Sequence, residues 1–447
     1  MHWLLVGYMF LFIDRPFEVW PILGDWHIER VYMVVTLLAW LIYPSKRFIP
    51  SRLHLGVAGF AVAVVASWAL SPWMEAGQPR VEDWFKILVF YVLLVTTVHD
   101  ERGLRTIAIG FMTVMALYLL HSFKEYLGGR FTYRMGISRM MGVDSSLGDP
   151  NSFGATIVFA LPFITMFWKL GTFGRLGRFA LSGYFLLSVA CILLTGSRSS
   201  LLGLMLWCVG TVFFSPRRWM LIPAFVVAAP MAFLVLPDSL QTRFETIVNP
   251  DVGPENAKTS GEGRIEGLIQ GYELWNRYPL TGAGPGAWRP ATRSSIESHS
   301  LPGQLVGEMG TLGLAAFLLL LYGIYSTIFA LNSMSREMQT DHAMNSDRDI
   351  DGETDDVPPP PDFSLMLARA VGVSVLLLLF MGLFGHNLFR FSWLWYAGFL
   401  VVARLVMEEK QADIDEAAQV ISLRTSWKKD DISDDEPIVV ELADTRS

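Results

Sequence analysis

Apolar runs long enough to cross a lipid bilayer, or nearly so, recur along most of this sequence. Backbone groups in lipid must be hydrogen-bonded within the chain, which leaves only helices and closed barrels. These runs are too long and too uniform for barrel strands, so we expect helices. Of the 447 residues, 52% are hydrophobic and 17% are charged, whereas a soluble protein carries about 25% charged residues. The expected spans are residues 2–13, 29–43, 54–70, 84–98, 104–121, 152–168, 179–195, 199–214, 219–236, 303–331, 366–385 and 392–406.

The fold class that follows is an all-α polytopic membrane protein with about twelve transmembrane helices and one long extracytoplasmic loop. Residues 1–236 hold the first nine expected spans, and residues 237–302 form the long loop. Residues 303–406 hold the last three spans around an acidic cytoplasmic linker at 333–365. Residues 407–447 form a polar cytoplasmic tail, which we expect to be mostly disordered.

The distribution of basic residues predicts the orientation, because short cytoplasmic loops carry an excess of Lys and Arg. One set of loops holds ten Lys or Arg in thirty residues, and the opposite set holds seven in sixty-four. The first set, which we assign to the cytoplasm with both termini, is 44–52, 99–105, 169–178 and 215–218. The outer set is 14–28, 71–83, 122–151 and 386–391. Four cations, Lys124, Arg130, Arg134 and Arg139, crowd one outer loop, so the outer face is expected to attract an anion.

The long loop contains a segment whose apolar residues recur at helical spacing. Residues 264–277 therefore predict an amphipathic helix, which Ser260 would cap and Pro279 would follow. Its apolar face is formed by Ile265, Leu268, Ile269, Tyr272 and Trp275. Arg264 lies in the first turn, where the helix dipole disfavours a cation. It is either an ordinary surface side chain or a residue that faces an anion.

Three glycines follow this helix, at Gly282, Gly284 and Gly286. They are not a dinucleotide-binding or P-loop signature, because no strand–turn–helix context surrounds them. Two interpretations remain open. The glycines form a tight turn, or they allow the backbone to approach a substrate phosphate closely.

His299 lies just before a long apolar helix. Ser300 suits the N-cap and Pro302 the first turn. The positive end of the helix dipole favours neutral imidazole there, which is the form that a general base requires. The alternative is a polar residue at the membrane interface. Glu308 is nearly two turns into this helix, so its carboxylate should face protein or a wet cavity.

Arg198 lies between two apolar runs with almost no loop around it. It either extends its side chain to the membrane surface or binds the phosphates of a lipid substrate. Ser residues beside it suit helix caps, as does the Asp149-Pro150-Asn151 segment at the start of another span. His386 and Asn387 lie at the outer end of a further span, and the sequence assigns them no role.

Taken together, these motifs resemble the O-antigen ligase and Wzy-type polymerase superfamily of bacterial membrane glycosyltransferases. The resemblance covers residues 149–330 well and the remainder only in hydropathy. One departure is His299-Ser300, where many relatives have His-Asn. The matching segments are DPNSFG at 149–154, TGSRSSLLGL at 195–204, GRIEGLIQGYELWNRYPLTGAGPGAW at 263–288 and SHSLPGQLVGEMGTLGL at 298–314.

The resemblance implies a plasma-membrane enzyme that takes a glycan from undecaprenyl pyrophosphate at the outer leaflet and transfers it, with inversion, to an acceptor hydroxyl. Arg198 and Arg264 would stabilise the pyrophosphate leaving group, and His299 would accept the hydroxyl proton. No metal or other cofactor is expected, and the outer loop contains no Asp-x-Asp pair. The expected substrate-binding residues are Glu308, Gly284, Gly286, Tyr272 and Asn151.

Several functions remain open at this stage. The acceptor is a glycan, a lipid or a protein, so ligase, polymerase and protein oligosaccharyltransferase are alternatives. A transporter or flippase would place ionisable residues near mid-membrane and interrupt helices in paired halves, which we do not find in the sequence. A non-catalytic scaffold would tolerate loss of the outer arginines and His299. Membrane lipid is an expected partner and nucleic acid is not.

Overall fold

A computed structural model describes residues 1–134, 136–144, 148–247, 249, 256–294, 297–346 and 362–430. Within these residues the regular secondary structure is helical except for one short β-hairpin. The elements are α1(His2–Ile13), α2(Pro16–Val19), α3(Pro21–Asp25), α4(Ile28–Ile42), α5(Leu53–Ala69), α6(Met74–Thr97), α7(Glu101–Leu127), β1(Phe131–Arg134), β2(Ile137–Met140), α8(Pro150–Leu170), α9(Gly174–Thr195), α10(Arg198–Phe213), α11(Arg218–Leu234), α12(Asp238–Glu245), α13(Asn256–Arg277), α14(Trp288–Thr292), α15(Leu301–Ser346), α16(Phe363–Gly382) and α17(Ser392–Asp430).

The chain is a mostly helical membrane protein, as the sequence predicts. Each expected span coincides with a helix, and within the described residues five helices are long and apolar enough to cross a bilayer. These five are Glu101–Leu127, Pro150–Leu170, Gly174–Thr195, Leu301–Thr340 and Phe363–Gly382. The helices α5, α10 and α11 are apolar but shorter, so the total of twelve crossings stays a prediction.

The first part of α17 forms the centre of the bundle. Every residue from 392 to 403 is buried, and a helix that is apolar on all sides belongs inside a large core. The ring of Trp395 lies 4.3 Å from Phe90 and 5.4 Å from Phe12 between centroids. By contrast, α11 has no buried residue, which suits a helix at the lipid-facing edge of the bundle.

The structure extends two helices beyond the expected spans. We expected a linker at 333–365, but α15 continues to Ser346; residues 347–361 lie outside the described part. We also expected the tail after residue 407 to be mostly disordered, but α17 continues to Asp430. In both cases the helix continues beyond the apolar span into a more polar segment. Similarly, α13 begins at Asn256, so Ser260 lies inside the helix and not at its cap.

Side-chain contacts sort the connecting loops into two ends of the bundle. At one end, which we call the linker end, Arg47 pairs with Glu409 at 2.9 Å. At the other, which carries the 237–302 loop and which we call the long-loop end, Arg80 pairs with Glu297 at 3.4 Å. The grouping agrees with the alternation of inner and outer loops in the sequence. Further contacts at the long-loop end are Arg15–Asp83, His121–Asp14 and Ser71–Ala283.

Helix α15 is interrupted at Gly310, where φ is +60° and ψ is −158°. This backbone conformation is essentially restricted to glycine. We call residues 301–309 the short half of α15 and residues 311–346 its long half. An interruption inside an apolar helix leaves carbonyl and amide groups that must find other partners.

Residues 278–284, which we call the clasp turn, provide those partners. Two of its amides donate to carbonyls of the short half, and two of its carbonyls accept from amides of the long half. The bonds are Ala283 N to Gly307 O at 2.8 Å, Gly284 N to Glu308 O at 2.8 Å, Thr311 N to Pro279 O at 2.9 Å and Leu312 N to Leu280 O at 3.0 Å. The long loop is therefore hydrogen-bonded into an apolar helix of the bundle.

Gly310→Ala is expected to destabilise the protein. A Cβ at this position would lie 2.6 Å from backbone atoms of Leu280 and Gly282, in addition to the conformational cost of about 1–3 kcal/mol. The measurement is the thermal midpoint of the purified protein in detergent. Gly210→Ala is the matched control, because a Cβ there meets nothing within 4 Å. Equal midpoints for the two variants would contradict the role given to Gly310.

Candidate functional site

The N-terminus of α8 lies at the centre of the long-loop end. Asp149 is its N-cap, and its Oδ1 accepts from the amides of Asn151 at 3.0 Å and Ser152 at 3.2 Å. This confirms the predicted cap. Burial alone would raise the pKa of Asp149, but the hydrogen bonds from Ser152 and the charge of Arg390 lower it below its usual value. The cap therefore stays a carboxylate among the surrounding cations.

Arg139, on β2, joins α8 to the end of α9. Its Nε donates to Thr195 O at 2.7 Å, and its Nη2 donates to Asn151 Oδ1 at 2.8 Å. The side chain is buried, and a buried guanidinium requires partners of this kind. Asn151, which the resemblance assigns to the substrate, thus also orients a cation.

Arg198 begins α10, and Ser197 caps that helix as expected by accepting from Ser200 N. The half-buried Arg198 donates through Nη1 to Thr246 Oγ1, 2.9 Å away at the end of α12. Arg243, on α12, donates to Gly196 O at 2.6 Å. Hence α12, from the long loop, covers the turn that holds Arg198.

Arg390 is a fully buried cation in the loop between α16 and α17. Its Nη1 donates to Thr156 Oγ1 at 2.7 Å and its Nε to Asn387 Oδ1 at 2.8 Å. Burial lowers the pKa of Arg390 to about 10, and the nearby carboxylate of Asp149 opposes that shift. The guanidinium therefore stays charged at neutral pH. We call Arg139, Arg198, Arg243 and Arg390 the cation cluster.

His299 and His386 approach each other beside this cluster, with ring centroids 5.9 Å apart. His386 Nδ1 is buried and has no hydrogen-bond partner among the described residues. Burial lowers the pKa of His386 to about 4, against the opposing charges of Glu297 and Asp149, so its ring is neutral at physiological pH.

Helix α13 packs directly beside His299. A Cβ on Gly267 would lie 3.2 Å from Ser298 Oγ and 3.5 Å from His299 N. The backbone of Arg264 is one helical turn before Gly267, on the side of the helix near this contact. The side chain of Arg264 lies outside the described part of the structure.

The short half of α15 begins at this point. Ser300 caps it, as expected, because Gly303 N donates to Ser300 Oγ at 3.3 Å and Gln304 N to Ser300 O at 2.8 Å. The positive end of this half-helix therefore lies next to His299, the residue that precedes the cap.

Glu308 and the clasp glycines have partners within the protein. The buried Glu308 carboxylate accepts from Gln304 Nε2 at 3.2 Å and from the backbone amide of Gly286. The amide of Gly284 donates to Glu308 O. With φ of +66°, +107° and +71° at Gly282, Gly284 and Gly286, this segment forms a tight turn. A role of Gly284, Gly286 and Glu308 in substrate binding stays a prediction.

Tyr272 lies on the expected apolar face of α13, and that face is exposed. The packing face consists instead of Gly267, Gly271 and Leu274. Small residues allow two helix backbones to approach closely, and Gly271 lies against the backbone of Gly303. The predicted helix is confirmed, and its glycine face, not its apolar face, packs on the bundle.

The sequence indicates Arg139 only as one of the charges of an outer loop, and it indicates no role for Arg390. The sequence around Arg390 could have identified it in the same way as Arg198, because each arginine lies in a short segment between two apolar runs. The partners of both missed arginines are distant in the chain, and spacing does not reveal such pairs. Of the expected catalytic residues, the structure brings His299 and the backbone of Arg264 together. The turn that holds Arg198 is linked to them indirectly, through the contacts of Arg139 and Arg390 with the N-terminus of α8.

This arrangement defines a helical membrane protein with buried cations, a half-helix N-terminus and two histidines at one end. In a comparison with protein families, residues 183–318 match the Wzy_C, O-antigen ligase, family model. The match confirms the resemblance to the O-antigen ligase superfamily, and it indicates O-antigen ligase-like activity in general. It includes Arg198, Arg264, His299 and Glu308. A search of curated proteins gives no match.

Arg390→Met is expected to lower the thermal midpoint of the purified protein. The change leaves the buried Asn387 and Thr156 without their partner, at a cost on the order of 2–4 kcal/mol. Arg404→Met is the matched control, because Arg404 pairs with Glu408 at a partly exposed site, where such pairs contribute about 1 kcal/mol or less. Equal midpoints for the two variants would contradict the structural role of Arg390.

Proposed function

We propose that this protein transfers a glycan from undecaprenyl pyrophosphate to an acceptor hydroxyl at the outer face of the bacterial plasma membrane. One observation carries the proposal. His299, the backbone of Arg264 and the turn of Arg198 belong to one connected group of residues at the long-loop end. All three residues fall within the family match.

The arginines suit the leaving group of this reaction. Negative charge develops on phosphate oxygens when the bond between the anomeric carbon and the lipid pyrophosphate breaks. Arg198 and Arg264 would donate to those oxygens, each contact contributing about 2–4 kcal/mol to the transition state. Arg139 and Arg390 donate to protein groups, and their charges raise the local positive potential. Because arginines supply the charge, we expect transfer to proceed without a metal ion.

His299 would act as the general base. Its imidazole takes the proton of the acceptor hydroxyl, the hydroxyl oxygen forms the new bond to the anomeric carbon, and the pyrophosphate leaves with the bonding electrons. A single displacement of this kind inverts the anomeric carbon. The N-terminus of the short half favours the neutral imidazole before the proton arrives. General-base catalysis of this type contributes roughly 100- to 10,000-fold.

The proposed site requires the long-loop end to face outward, with both termini in the cytoplasm. The basic loops 44–52 and 99–105 support this orientation, because they contact each other at the opposite end. The lipid-linked donor would then meet the cation cluster from the outer leaflet.

The identity of the acceptor distinguishes a ligase from a polymerase or a protein oligosaccharyltransferase. Glycan chain length in a deletion strain distinguishes them, because single repeats on the acceptor indicate a missing polymerase. Loss of the linkage to the acceptor indicates a missing ligase, or a protein oligosaccharyltransferase when that acceptor is a protein. A transporter is less well supported. The interruption in α15 is filled by the clasp turn, whereas transporters use the free ends of broken helices to bind ions.

In a deletion strain, complementation with His299→Ala or Arg264→Ala is expected to lower glycan transfer by about 100-fold or more. Surface glycan is profiled on gels, and the amount of protein in the membrane is measured in parallel. Arg277→Ala is the matched control, because Arg277 is an exposed cation on the same helix. Wild-type transfer by both site variants at normal protein levels would remove the catalytic assignment.

A further inference from the structure

Helix α13 has three distinct faces. The first contains Gly267, Gly271 and Leu274 and packs on the short half of α15. The second is polar and contains Glu266, Gln270, Glu273 and Arg277, with Gln270 Nε2 donating to Glu266 Oε1 at 2.8 Å. The third is apolar, and it is exposed in the described part of the structure.

We call this third face the apolar stripe. It consists of Ile265, Leu268, Ile269 and Tyr272, whose side chains are 63%, 46%, 49% and 58% exposed. Their spacing of three and four residues places them side by side on the helix. Isolated exposed apolar side chains are common, but a contiguous group marks an interaction surface.

The position of the helix indicates what covers this stripe. The clasp turn ends α13 beside the long half of α15, where Leu280 O accepts from Leu312 N. Leu280 and Leu312 are both exposed, and Leu312 belongs to a helix apolar enough to cross a bilayer. The end of α13 therefore lies next to a surface that contacts lipid.

The aromatic residues of α13 also indicate a position at the membrane surface. Trp275 Nε1 donates to Thr311 Oγ1 at 3.0 Å and to Pro279 O at 3.2 Å. The ring of Tyr272 lies 6.2 Å from that of Trp275. Tyr and Trp are enriched at the membrane–water interface, because they combine an apolar ring with a polar group.

We infer that α13 lies in the bilayer interface, with the apolar stripe immersed among lipid headgroups and upper acyl chains. The polar face then points to water, and the glycine face stays on α15. A helix with one apolar and one charged face binds membrane surfaces in this way. This position would also hold Arg264 near the phosphates of lipid headgroups. A role of Arg264 in binding the donor there rests on the proposed function.

The test measures the surroundings of the stripe directly. A nitroxide spin label is attached at Leu268→Cys or Ile269→Cys in the full chain, after Cys191 and Cys208 are replaced by Ala. Matched controls are Glu266→Cys and Glu273→Cys on the polar face of the same helix. The proteins are placed in nanodiscs of phosphatidylethanolamine and phosphatidylglycerol. The accessibility of each label to oxygen, which concentrates in lipid, is compared with that to a water-soluble nickel chelate.

The oxygen-to-nickel ratio is expected to be several-fold higher at the stripe than at the polar-face controls. Equal ratios would show a stripe in water and overturn the inference. Low access to both reagents would show a stripe covered by protein, such as a second copy, and would also overturn it. Since neither reagent reports glycan transfer, these outcomes leave the proposed function to its own test.

Discussion

The insertion of the clasp turn into α15 is the constraint on which the long-loop end depends. An apolar helix broken at Gly310 exposes backbone groups, and each unsatisfied group in lipid costs several kcal/mol. The four bonds from the clasp turn remove that cost. They also hold the long loop to the bundle, so α13 can pack through glycines and the short half can begin beside His299.

Electrostatics explains how the arginines at the long-loop end are arranged. Buried guanidinium groups are stable only where hydrogen bonds and nearby carboxylates replace water. The structure meets this need with Asp149 at the α8 cap and with the side chains and carbonyls that Arg139 and Arg390 contact. The N-termini of α8, α10 and the short half point their positive ends toward the same region. The result is a group of buried cations at the long-loop end, which the proposed phosphate-bearing donor would require.

The features of the fold that depend on local sequence patterns were predicted from the sequence. Apolar periodicity placed the helices, and cap residues such as Asp149, Ser197 and Ser300 marked their starts. The alternation of basic loops separated the two ends. The break at Gly310 was not predicted, because a glycine within an apolar run is also compatible with an unbroken helix.

Long-range pairing was the other source of error. Arg390 and Thr156 are 234 residues apart, so no spacing rule connects them. The packing face of α13 depends on tertiary contacts in the same way: hydropathy identifies the apolar face with Ile265 and Leu268, but it does not show that Gly271 fits closely against Gly303. Sequence patterns therefore located the site-bearing segments, while tertiary contacts decided which side chains meet.

Binding of the lipid carrier tests the central claim most directly, because it does not require the acceptor to be known. Native mass spectrometry of the purified protein with undecaprenyl pyrophosphate measures this binding. The account predicts that Arg198→Ala combined with Arg264→Ala weakens binding by at least about tenfold, equivalent to about 1.4 kcal/mol. Arg277→Ala should bind as the wild type does. Equal binding by the double variant and the wild type would contradict a pyrophosphate site at this end of the bundle.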